Sequence, residues 1–194
     1  QKLSAGTRRR MLSAARGYWD YLEQHKGLRL EPPFYKVLPP KPKKKTKAMI
    51  DAQRKAFRAV DFHKLLSGCH DESLTVLMSL AAYTGCRIEE LCSLKLENVS
   101  DDRFEIVDAK SEAGWRTIPI HHQISQTVAR LVATSTDDYL ISGLTFNKYG
   151  NRSNAIGKRF GRLKAELGYG DEYVFHSFRR GFATQLENAN LSKT

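Results

Sequence analysis

Arg87 and Glu90 stand three residues apart in the stretch Thr84-Gly85-Cys86-Arg87-Ile88-Glu89-Glu90-Leu91. Gly85 ends one apolar segment and another begins at once, so both side chains fall on one face of a new helix, Arg87 in its first turn. Alone, such a pair is a solvated ion pair. The guanidinium is also a planar fork that fits the oxygens of a phosphate. A second cluster is His176-Ser177-Phe178-Arg179-Arg180-Gly181-Phe182-Ala183-Thr184. Here His176 and Arg179 share the same spacing at a helix start, where unpaired backbone N–H groups already favour anions. Lys110 lies in the loop after the strand-like residues 104–107 and before Trp115. A lysine in such a turn ordinarily serves solubility. The fourth cluster is the run KPKKKTK, with Lys41, Lys43, Lys44, Lys45 and Lys47, whose flexible cations suit a phosphate backbone or simply solvate a linker.

The whole chain has the same bias. Its 194 residues carry 32 Lys plus Arg against 21 Asp plus Glu, a net charge of 32 − 21 = +11. That excess points first to a polyanion, and nucleic acid is the commonest one. Apolar residues at 41% and charged residues at 27% exclude collagen, coiled coil and wholesale disorder. No apolar run approaches the roughly 18 residues of a membrane span. Cys69, Cys86 and Cys92 are odd in number and lack C-x-x-C spacing, so no disulfide framework or zinc ribbon is expected. A reducing, cytoplasmic setting fits them.

The elements that must position these clusters are mostly helices. Met11, Leu12, Ala15, Tyr18, Trp19 and Leu22 recur at helical spacing, with Thr7 as N-cap and Gly27 as stop. A helix this apolar on one face belongs to a bundle. Pro32, Pro33, Pro39, Pro40 and Pro42 then break regular structure. Residues 1–38 are therefore read as the end of a helical domain, 39–55 as a basic linker and 56–194 as a second domain. In that domain Asp61 caps a turn bearing Phe62, Leu65 and Leu66, ended by Gly68, and Leu74, Leu77, Met78 and Ala81 mark a buried helix closed by Gly85. Ile88, Leu91 and Cys92 mark a short one. Phe104, Ile106, Arg116, Ile118 and Ile120 alternate as a hairpin should, with Gly114 near the bend. Helical spacing returns at Ile124, Val128, Leu131 and Val132, at Ile156, Phe160, Leu163 and Leu167, and at Phe178, Phe182, Ala183 and Leu186. The expected fold class is mainly α with a small antiparallel β-sheet (α+β).

Taken in order, T-G-C-R-I-E-E-L, a lysine in a β-turn and H-S-F-R-R-G-F-A-T resemble the Arg, Lys, His-x-x-Arg series of the tyrosine recombinases, the phage integrase family. Residues 7–26 followed by Pro33-Phe34 look like the end of that family's helical core-binding domain. The resemblance implies two lobes clamping double-stranded DNA at attachment sites, and strand exchange through a 3′-phosphotyrosine. By position, Arg87 and Arg179 would clamp non-bridging phosphate oxygens, and Lys110 would protonate the leaving 5′ oxygen. His176 would bind the phosphate or assist the tyrosine's proton loss, while Glu90 orients its neighbours. No metal or other cofactor is implied, because the phosphotyrosine conserves the bond energy. Partners implied are DNA, a homotetramer assembled on it and accessory DNA-bending proteins, in the bacterial nucleoid, for an integrase of a phage or genomic island.

One departure matters. The family's nucleophilic tyrosine follows the second-arginine helix, whereas Tyr139, Tyr149, Tyr169 and Tyr173 all precede His176. The chain is therefore expected to be a fragment without its nucleophile, inactive by itself. Three other readings compete. One is a DNA-binding protein of the same fold without chemistry, although the joint presence of both arginines, the lysine and the histidine opposes it. Another is a type IB topoisomerase or telomere resolvase, disfavoured by size. The last is an RNA-binding module, for which no aromatic-interleaved motif exists.

Overall fold

The computed structural model describes residues 3–34, 37, 54–107 and 114–189, which fall into two compact units, Gln1–Asp51 and Ala52–Thr194. The basic linker lysines, the turn carrying Lys110 and residues 190–194 lie outside the described residues.

The first unit is one helix and the chain that returns along it. Helix α1 spans Ala5–Lys26 and ends at Gly27, whose φ of 66° is the left-handed conformation that stops a helix cheaply. Its cap is Ser4, not the expected Thr7. The Ser4 hydroxyl accepts the Thr7 N–H at 3.1 Å, so the helix starts earlier and Thr7 sits in its first turn. Trp19 donates its indole N–H to Leu30 O at 3.2 Å and meets Phe34 edge-on. No α1 residue is buried, and Met11 and Tyr18 stay exposed on the apolar stripe.

The second unit is built around helix α3, Glu72–Thr84, capped by Asp71. Leu74, Val76, Leu77, Met78, Leu80 and Ala81 are buried on nearly every side of it, which makes it the central helix. Before it comes α2, Ala59–Ser67. Asp61 is not the cap of α2 but a member of its first turn, and its carboxylate reaches back to the Arg58 N–H at 3.0 Å. After it come the short α4, Ile88–Cys92, and a 3₁₀ turn at Leu96–Asn98. Strands β1, Arg103–Ile106, and β2, Arg116–Pro119, pair antiparallel, with Phe104 opposite Ile118 and Ile106 opposite Arg116. Phe104, Ile106 and Ile118 turn inward.

Helices α5, His122–Thr134, α6, Ser153–Glu166, and α7, His176–Asn188, complete the unit. Ile124 and Val128 of α5 are buried, but Val132, grouped with them by spacing, is exposed. In α7 the burial fades along the helix: Phe178 is buried, Phe182 and Ala183 are half-buried and Leu186 is exposed. The start of α7 is fixed by the segment before α2. Phe57 donates its N–H to Ser177 O and packs against the rings of Phe160, Tyr169, Tyr173 and Phe178. Gly181 lets the helix come this close, since a Cβ there would lie 2.5 Å from Phe57 O. Among the described residues the architecture is mainly helical with one two-stranded antiparallel sheet, the fold class expected. No described helix is long and apolar enough to cross a membrane.

Candidate active site

The corner between α3 and α4 is the anchor of the site. Gly85 adopts φ 62°, which reverses the chain tightly, and a Cβ there would also strike the Phe182 ring of α7. Thr84 closes the corner from inside by accepting the Cys86 N–H at 3.2 Å. Across it, Arg179 of α7 donates from Nη1 to Gly85 O at 2.7 Å. The late helix is thereby fastened to the turn that presents Arg87, two residues further on.

Arg87 is the N-cap of α4 rather than a residue of its first turn. Its backbone N–H donates to Glu90 Oε2 at 2.8 Å and its Nη1 to Glu90 Oε1 at 2.6 Å. The Arg87 side chain nonetheless remains 56% exposed, against 6% for Glu90. The other side of the Glu90 carboxylate belongs to Arg116 of β2, whose Nη2 lies 2.6 Å from Oε2. Burial works to raise the Glu90 pKa, but the bonds from Arg116 and Arg87 outweigh it and hold the carboxyl at about 2. The group is thus ionised at any working pH. Its contribution to stability is fully present above the ordinary carboxyl range and is lost only as the pH falls towards 2.

His176 is the first residue of α7. Partial desolvation, followed by the charges of Arg179, Arg180 and Arg87, pushes its pKa below the usual 6.5. Its imidazole is therefore neutral at pH 7, able to donate from one nitrogen and accept at the other. An NMR titration of the His176 ring should give a midpoint below 6.5, rising when Arg179 is replaced by Met; a midpoint at or above 6.5 would contradict this arrangement. The structure thus brings Arg87, Glu90, His176 and Arg179 together. Lys110 and the linker lysines Lys41, Lys43, Lys44, Lys45 and Lys47 fall outside the described residues. Two guanidinium groups and a neutral imidazole brought near one another suit a tetrahedral oxyanion.

Spacing alone does not single out three contributors. Arg116 lies on a strand and occupies the phase of the alternation shared with Ile118 and Ile120. A cation in an apolar slot calls for a carboxylate partner, and that signal was in the pattern. Glu89 accepts the N–H groups of Arg152 and Ser153 at 2.8 and 3.0 Å and so caps α6 from outside. Arg152 itself is 2% exposed, lies 3.6 Å above the Tyr139 ring and donates to Ile141 O at 2.9 Å. No local signal marks either long-range contact.

A mainly helical fold with one two-stranded antiparallel sheet, which brings Arg87, His176 and Arg179 near one another, is the arrangement expected of the integrase type. The phage integrase family profile matches residues 47–193, and the chain belongs to that family, the tyrosine recombinases. Among solved structures, a lambda integrase dimer bound to a COC′ core site superposes with a TM-score of 0.69 at 16% identity, covering 95% of this chain and 53% of that one. A lambda integrase tetramer bound to a Holliday junction gives 0.64 at 16% identity over 90% of this chain and 52% of that one. The Tn1549 transposon integrase in complex with circular intermediate DNA gives 0.65 at 18% identity over 98% and 69%. At these identities the likeness speaks for the fold. The chain spans about half the length of the lambda integrase chains it matches (53% and 52%). No curated protein sequence matches it.

Proposed function

We propose that this chain carries the phosphate-handling site of a site-specific DNA recombinase, the integrase of a phage or genomic island, which acts on attachment sites in the bacterial nucleoid. Supporting the reading above all is the bond from Arg179 to the Gly85 carbonyl, which fastens the helix of His176 to the corner of Arg87. In the reaction a tyrosine oxygen attacks the scissile phosphorus, and the bond to the 5′ oxygen breaks. The products are a 3′-phosphotyrosine and a free 5′-hydroxyl. Arg87 and Arg179 hold the non-bridging oxygens, where negative charge grows in the transition state. Lys110 gives its proton to the departing 5′ oxygen, and neutral His176 hydrogen-bonds the phosphate or takes the tyrosine's proton. Glu90 keeps Arg87 in place. Rejoining runs the same steps backwards with the 5′-hydroxyl of a partner duplex, so no metal or nucleotide enters. No tyrosine follows His176 in this sequence, and the 194-residue polypeptide by itself should therefore do no cleavage.

We place residues 1–38 as the end of a helical DNA-binding domain, 39–55 as linker and 56–194 as the catalytic domain. The lambda tetramer on its junction supports a homotetramer on paired duplexes as the working assembly, to which accessory DNA-bending proteins would add architecture.

Binding is testable with the chain itself. The charge of +11, with Lys41, Lys43, Lys44, Lys45 and Lys47 in the linker, predicts duplex binding dominated by phosphates. If about 6–10 phosphates are neutralised, affinity falls ~10³–10⁵-fold between 50 and 200 mM salt. Fluorescence anisotropy with a labelled duplex measures this slope. An affinity indifferent to salt, or a preference for single-stranded RNA, would count against the reading.

A further inference from the structure

The Glu90 carboxylate sits between two guanidinium groups that are used very differently. Arg116 has both terminal nitrogens engaged: Nη2 with Glu90 Oε2 at 2.6 Å and with the Cys86 sulfur at 3.8 Å, Nη1 with Gly114 O at 2.9 Å and Glu90 Oε1 at 3.3 Å. Only 28% of its side chain is exposed. Arg87 spends Nη1 on Glu90, and no partner among the described residues engages its Nη2 or Nε. The trio of two cations and one anion carries a net charge of +1. Without Arg116 the remaining pair would be neutral, and a buried carboxylate would have Arg87 as its one strong partner. A lone Arg–carboxylate pair favours the closed, two-pronged geometry, which would turn the open edge of Arg87 towards Glu90.

We propose that Arg116 is a positioning residue for Arg87: by sharing the Glu90 carboxylate, it leaves Arg87 a net cation with one edge open to a phosphate oxygen. This assignment rests on the reading that Arg87 meets the phosphate. It adds a residue on β2 whose work is done entirely through Glu90.

The test uses the 194-residue chain and inorganic phosphate at pH 7, followed by NMR at the Arg87 Nε–H. In the parent the signal should shift saturably with phosphate. Arg116→Met should weaken binding by about tenfold or more, the effect of losing one charge-assisted partner. Glu90→Gln combined with Arg116→Met should recover affinity to within about threefold of the parent, because no carboxylate charge is left to compensate. A purely structural Arg116 would leave the loss in place in the double variant. Should Arg116→Met alone fail to fold, Arg116→Lys, which keeps the charge and loses the fork, must show a deficit smaller than about tenfold that Glu90→Gln in the same chain removes. Three results would overturn the proposal: parental affinity in Arg116→Met, a loss that persists in the double variant, or an Arg87 Nε–H signal in the parent that does not respond to phosphate. Phosphate binding needs no tyrosine. Phosphate binding that follows this pattern, while a tyrosine-bearing form of the protein never forms an adduct with DNA, would defeat the phosphotyrosine reading and leave the role of Arg116 standing.

Discussion

Lys110→Ala should slow strand cleavage by roughly 10²–10⁴-fold in a tyrosine-bearing form of the protein, the range expected when a general acid is lost. The size of the defect does not by itself separate an acid from a lysine that steadies DNA. The leaving group does. On a substrate whose 5′ bridging oxygen is replaced by sulfur, the thiolate departs without a proton, and the Lys110→Ala defect should largely vanish. A lysine that only gripped the backbone would gain nothing from the sulfur. Arg87→Ala should gain nothing either, because in the proposed mechanism it meets the non-bridging oxygens. Equal rescue of both variants, or of neither, would remove Lys110 from the role of acid.

The arginines carry the second large effect. Arg87→Ala or Arg179→Ala should each cut the cleavage rate by at least ~10²–10³-fold, the cost of removing one preorganised donor from a growing negative charge. Duplex affinity should change far less, since binding is spread over many phosphates. Lysine at either position should rescue poorly: a point charge on a flexible stem does not reproduce the fork that meets two oxygens at once. For Arg179 the structure adds a reason, because the same guanidinium also holds the Gly85 carbonyl at 2.7 Å. Single-turnover cleavage of a nicked duplex, with anisotropy in parallel, separates the two effects. Arg→Lys proteins cutting at near-parental rates would contradict the clamp.

Much of the helical frame is legible without coordinates, because apolar periodicity and glycine stops are local signals. Leu74, Leu77, Met78 and Ala81 announce α3, and Gly85 and Gly27 end their helices in the left-handed conformation that glycine alone adopts readily. Helix starts are harder where two candidates lie one turn apart. Ser4 and Thr7 both carry hydroxyls, and the earlier one wins by accepting the N–H of the later. Asp61 likewise looks like a cap and instead reaches back from the first turn to Arg58. Periodicity also overstates burial at helix ends, as Val132 and Leu186 show. What spacing cannot carry is the encounter of distant segments. R-x-x-E and H-x-x-R each specify a local face, but the bond that joins α7 to the α3–α4 corner depends on packing around Phe57, Phe178 and Gly181. Only the order of motifs, matched to a family, hinted that the two clusters would meet.

The central claim is that this cluster serves a tyrosine's attack on a DNA phosphate, and a suicide substrate tests it most directly. A duplex nicked beside the scissile phosphate loses its short 5′-hydroxyl product after cleavage and traps any covalent intermediate. With a tyrosine-bearing form of the protein, denaturing electrophoresis should show a protein–DNA band linked through a 3′ phosphate to a tyrosine beyond the α7 helix, and the band should be lost with Arg87→Ala. The 194-residue chain should give no band. A band linked through the 5′ phosphate, or one trapped on Tyr139, Tyr149, Tyr169 or Tyr173, would contradict the account.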